Sequence, residues 1–193
     1  MKYPALFMLM VALAGCSTQP TVKSWLDPVS SVTITAQTEP LVLVRATPRP
    51  AENERDYAQL AAIEVNRMGD RKLYLVAVLW STADLSGNAD DPFSQIEVLV
   101  DDRTVALTRH AGKISELGIG EPVLPLPIPG SRHVYFPIER DDLRAISRAN
   151  RIELTARGVA AAPRRYEEFS DGRQSLSDFL SQLPGEPSSG GPG

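Results

Sequence analysis

Cysteine is almost missing from this chain. Cys16 is the one example in 193 residues, which excludes an internal disulfide and any thiolate zinc cluster. Histidine is nearly as scarce, with His110 and His133 alone. That leaves a zinc site short of ligands and a serine triad short of bases. The sequence contains no G-x-S-x-G elbow, P-loop or H-E-x-x-H motif. No excess of basic residues exists either: 20 Lys and Arg stand against 24 Asp and Glu, the wrong balance for a nucleic-acid partner. The longest apolar runs, at the amino terminus and around Leu75, are too short for a membrane-spanning helix. The residues therefore predict a non-enzyme with no cofactor and no metal.

The first sixteen residues are informative. Lys2 gives a positive start, Tyr3 to Ala12 form an apolar stretch, and Leu13-Ala14-Gly15 lead to Cys16. A charge, an apolar stretch and small residues in that order describe a secretory signal peptide over residues 1–15. The ending Leu-Ala-Gly-Cys resembles the lipobox of bacterial lipoproteins. That resemblance implies a diacylglycerol thioether on Cys16, cleavage just before it and acylation of the new amino group, by palmitate or a similar chain. It also implies membrane lipid as one partner. In this family an Asp after the Cys tends to hold the protein at the inner membrane. Ser17 is thus expected to permit sorting to the periplasmic face of the outer membrane, with inner-membrane retention as the alternative. Removing Lys2 with the leader would take the formal net charge from −4 to −5.

Residues 16–30 are polar apart from Trp25 and Leu26, and contain Pro20 and Pro28. They read as a tether reaching up to ~50 Å, with Trp25 either at the lipid interface or capping the core. A folded domain is expected over 31–183. Residues 31–36 alternate as a half-buried strand does, and Leu41 to Val44 form a second strand. Residues 51–56 look loop-like. Residues 61–66 lead to a turn at Arg67-Met68-Gly69-Asp70, and Lys72 to Trp80 then run without a polar break. This matches a central strand buried on both faces, the spine of the domain. Residues 95–100 and 104–108 read as a hairpin around Asp101-Asp102-Arg103.

The four prolines at 122, 125, 127 and 129 forbid a central strand over 112–130, which should cover an edge or end of the domain. Strands follow at 133–138 and 151–157, with a short one at 166–169. A helix is expected over 141–148, with its acids first and Arg148 last, as the helix dipole favours. Ser175 and Asp178 resemble a capping box opening a last helix. Residues 184–193, rich in Pro, Gly and Ser, read as a disordered tail.

Many short strands, proline-rich connections and one or two short helices predict an all-β antiparallel sandwich of immunoglobulin-like or transthyretin-like type. The acidic stretch Asp84, Asn88, Asp90 and Asp91 has oxygen ligands, but not at calcium-loop spacing, and reads as solvated turn residues. The functional expectation is a lipid-anchored binding or scaffolding module that contacts another envelope protein. A secretion-type assembly is one setting, by architectural analogy with the small sandwich lipoprotein of type VI secretion, though no diagnostic residue matches. The alternative is a membrane-tethered enzyme or small-ligand carrier with a site near His110 or His133.

Overall fold

A computed structural model describes residues 20–46, 55–82, 93–159 and 162–184. Ten strands and two short helices make up the body, in the order β1 (Val22–Leu26), β2 (Thr33–Gln37), β3 (Leu41–Ala46), β4 (Arg55–Arg67), β5 (Asp70–Ser81), β6 (Gln95–Val100), β7 (Arg103–Thr108), β8 (Arg132–Pro137), α1 (Arg140–Arg148), β9 (Ile152–Arg157), β10 (Arg164–Ser170) and α2 (Arg173–Gln182). Every strand pairing is antiparallel. The pairing makes one continuous sheet where strand spacing predicts two facing ones. It runs β8-β5-β4-β3-β10-β9-β6-β7 and curls into a half-barrel, with β2 and then β1 added beside β4. The ends of the curl meet where the His110 N–H donates to the Tyr135 carbonyl at 2.8 Å.

The β4–β5 hairpin explains why no break divides the sheet. Met68 and Gly69, both at positive φ, make the two-residue turn whose twist suits paired strands. Twelve residue pairs then run from Arg67↔Asp70 to Asp56↔Ser81. The other edge of β4 pairs first with β3, over Arg55 to Leu60, and then with β2, over Ile63 to Asn66. The expected loop at 51–56 thus gives way at Arg55, because Asp56 is buried in β4 and ion-paired to Arg45 at 2.7 Å.

Successive strand side chains point to opposite faces, and here both faces are covered. Ala58, Leu60, Ala62, Leu75, Ala77 and Leu79 join the core inside the curl, with Phe136, Leu154, Tyr166 and Phe179. Ala61, Ile63, Val65, Tyr74, Val76 and Val78 join a second core with Ile34, Leu117, Ile119 and Leu124. The expected spine is therefore observed, with Leu75 and Val76 at 2% and 0% exposure. The segment 112–130, expected at an edge or end, instead lays Ile114, Leu117, Ile119, Val123 and Leu124 on the second face of this hairpin. It contains one 3₁₀ turn, Ile114–Leu117.

Two expectations change near the amino terminus. Residues 22–26 are not tether: they pair with β2 over five residues, from Val22↔Gln37 to Leu26↔Thr33. The body begins by Thr21, and Trp25 packs, half-buried, on the second core. Ser175 and Asp178 do not form a capping box, since α2 starts after Gly172 without a side-chain cap. Ser175 Oγ donates to the Thr21 carbonyl at 2.8 Å, and Thr21 Oγ donates to Asp178 at 2.9 Å. A β-carbon at Gly172 would lie 2.5 Å from the Leu41 nitrogen, so only glycine lets α2 start against the β2–β3 turn.

Candidate functional site

The outward face of the curled sheet carries the most distinctive chemistry among the described residues. Tyr57 on β4 and Trp80 on β5 are directly paired in the ladder. Their rings stack 5.0 Å apart at 8°. Phe169 on β10 meets Tyr57 edge-on at 6.0 Å. β10 pairs Glu168 with Leu43 and Ser170 with Val42, so Phe169 is the extra residue of a β-bulge. Bulges re-aim side chains, and Phe169 stands 60% exposed. Tyr57 and Trp80 are themselves half-buried.

Beside the rings, Val44, Arg45, Ala46, Arg55, Arg165 and Glu167 line a shallow groove of about 490 Å³. Asp56, one residue before Tyr57 and turned to the other face of the sheet, has its carboxylate 2.7 Å from Arg45 and 3.8 Å from Arg164. Burial pushes the Tyr166 phenol up to about 12, reinforced by that carboxylate. An aromatic platform flanked by guanidinium groups suits a surface that brings both apolar and acidic groups, since tyrosine, tryptophan and arginine dominate binding hot spots.

A second groove, of about 370 Å³, lies between β1 with the end of β2 and residues 121–125. Lys23, Trp25, Thr38, Pro122, Leu124 and Pro125 are among its walls. The Lys23 ammonium sits 5.5 Å above the Trp25 ring, a cation–π distance. Asp27 closes one end. Its carboxylate accepts the N–H groups of Val29 and Ser30 at 2.9 Å each and of Gly120 at 2.7 Å. These backbone bonds, Gly120 first, hold its pKa below the ordinary carboxylate value.

The two histidines lie at the meeting of β7 and β8, not in either groove. His133 Nε2 is 2.9 Å from the Leu124 carbonyl, and its ring stacks on Tyr135 at 6.3 Å. Burial lowers the basicity of His133, with the Leu124 bond opposing. His110 Nε2 is buried without a hydrogen-bond partner. So is the Tyr135 hydroxyl, which lies toward the Val123 backbone without a well-formed bond. Among the described residues neither imidazole is hydrogen-bonded to a serine or a carboxylate, so the structure assembles no triad around them. No cluster of metal-ligating side chains occurs among those residues. Cys16, Ser17 and the acidic stretch from Asp84 to Asp91 lie outside the described residues.

Sequence reasoning missed the aromatic face because its members are far apart in the chain. Tyr57 lies just after the loop-like stretch 51–56, in residues with no assigned element, and Trp80 reads as part of a buried run. Phe169 carries the one local signal, an aromatic after two glutamates in a short strand. Comparison with protein-family models, curated proteins and solved structures finds no match to this chain.

Proposed function

We propose that the chain is a bacterial envelope lipoprotein, anchored through acylated Cys16. Its folded body then serves as a non-catalytic binding or scaffolding module for another periplasmic or outer-membrane protein. The leader supports the anchor, and Ser17 supports passage to the periplasmic face of the outer membrane. The observation that carries the binding reading is the Tyr57–Trp80–Phe169 cluster, in which Tyr57 and Trp80 are half-buried and Phe169 is 60% exposed. Burying a large aromatic side chain is worth roughly 1.5–3 kcal/mol, and one ring of this cluster stands in solvent. We read the curled sheet as doing what an immunoglobulin-like or transthyretin-like sandwich does: presenting faces and edges on a rigid frame.

The test is co-purification of the tagged, full-length protein from detergent-solubilised envelope, with fatty-acid labelling of the same sample. The parent should carry label and retain a discrete partner, and Phe169→Asp should keep the label and lose the partner. Cys16→Ser should lose the label. A partner retained equally by parent and Phe169→Asp would contradict the assignment of this face.

A further inference from the structure

The described body starts much closer to Cys16 than a tether through residue 30 would place it. Four hydrogen bonds fix its first two residues. The Thr38 N–H and Ser175 Oγ both donate to the Thr21 carbonyl, at 2.9 and 2.8 Å. Thr21 Oγ donates to Asp178 at 2.9 Å, and Thr38 Oγ donates to the Pro20 carbonyl at 2.6 Å. Those contacts tie the start of β1 to the β2–β3 turn and to α2. From Cys16 to Thr21 the chain advances five residues, which span at most ~18 Å when fully extended. The headgroup region on one side of a bilayer is itself several ångströms deep, since the ~30 Å hydrocarbon core grows to ~40–45 Å with both headgroup layers. If Cys16 is acylated, little of that length is left to lift the body clear of the surface.

The edge that leaves this fixed point has the side chains for such a surface. In the described pairing β1 bonds only to β2, leaving its second edge open. Along it lie Lys23, exposed, and Trp25, half-buried beneath the Lys23 ammonium. Leu26, ending β1 on its opposite face, and Val29 in the loop that follows stand at 63% and 77% exposure. Indole rings favour the membrane interface, lysine reaches phosphates while its stem lies on apolar ground, and exposed aliphatic side chains gain by entering the acyl boundary. The aromatic face lies elsewhere along the spine. Trp25 pairs through Ile34 to Val65, whereas Tyr57 is eight residues earlier on β4, roughly 26 Å away at ~3.3 Å per residue.

We propose that the β1 edge, with Lys23, Trp25, Leu26 and Val29, rests on the phospholipid surface that holds Cys16, leaving the aromatic face free for a protein. This rests on the lipid-anchor reading above. The chain has two tryptophans, so Trp80→Phe leaves Trp25 as the single indole, and Trp25→Phe leaves Trp80.

Each full-length, lipidated protein is reconstituted into phosphatidylethanolamine/phosphatidylglycerol vesicles, with and without brominated acyl chains. Trp25 emission should fall to about half in brominated vesicles, as for an interfacial indole, while Trp80 emission should not change. Inserting a long Gly/Ser segment between residues 19 and 20 should restore much of the Trp25 emission. Acylated protein that floats with the vesicles but shows unquenched Trp25 would overturn the orientation and leave the anchor standing. Trp25 shielded only when other envelope proteins are added would also overturn it, assigning the edge to a protein. Absence of acyl label on Cys16 would overturn the anchor and the orientation together.

Discussion

Gln37, at 1% exposure, sits where β4 changes partner from β3 to β2, and its amide is satisfied at both ends. Its Nε2 donates to the Glu39 carbonyl at 2.6 Å and to the Gly172 carbonyl at 3.0 Å. Its Oε1 accepts the Ala62 N–H at 3.1 Å. The ladder leaves Ala61 and Ala62 without a β2 or β3 partner, so a side chain completes what the backbone cannot. Gln37→Leu keeps the volume but strands the buried Ala62 N–H, while the Gly172 carbonyl keeps only the Leu176 N–H at 3.0 Å. It should lower unfolding free energy by about 2–3 kcal/mol, read from urea denaturation of the unlipidated domain. Asp27 makes a second prediction, for pH. Its folded pKa lies below the ordinary value of 3.8, so it contributes stability above that value, lost as pH falls through the lower folded one. Asp27→Asn should melt lower at neutral pH and lose less than the parent on acidification from about pH 5 to pH 2. A parent and variant with parallel acid profiles would show that the Gly120 tie contributes nothing.

At the scale of elements, the hairpin of β4 and β5 is what the two cores share. Alternate side chains feed opposite cores, so neither parity is free to accept charge. An unpaired buried carboxylate costs several kcal/mol against the ~5–15 kcal/mol that holds a domain together. Leu75→Asp and Val76→Asp should each abolish soluble folding of the unlipidated domain. Thr155→Asp, on the outward face of β9, should fold and melt close to the parent. Soluble yield and thermal melting of the three variants check this; a spine variant that folds like the parent would contradict the two-core account. The hairpin was legible in the sequence because an unbroken apolar run rich in Val, Leu and aromatics has few other homes, and because Met68-Gly69 sits at its turn. β1 was not legible: Lys23, Ser24 and Leu26 show no alternation, since this edge strand buries only Val22 fully. Nor was the role of Ser175 and Asp178, whose spacing imitates a capping box while their partner, Thr21, lies about 150 residues away.

For the whole molecule, the antiparallel all-β character and both helices followed from local pattern, but the layer arrangement did not. One curled sheet and two facing sheets share strand lengths and turn signals. They differ in which strands pair across the chain, and β4 taking β3 and β2 on one edge leaves no mark in a single sequence. The same holds for the candidate site, which depends on bringing Tyr57, Trp80 and Phe169 together from three strands far apart in the chain. The proposal rests on the face of Tyr57, Trp80 and Phe169 docking another envelope protein. Photo-crosslinking tests it most directly, with a benzophenone side chain at position 169 or, for comparison, at position 155, in the full-length protein in intact cells. One adduct of discrete size is expected from position 169, diminished by Trp80→Ala, and none from position 155. No adduct from position 169, or the same adducts from both positions, would contradict it.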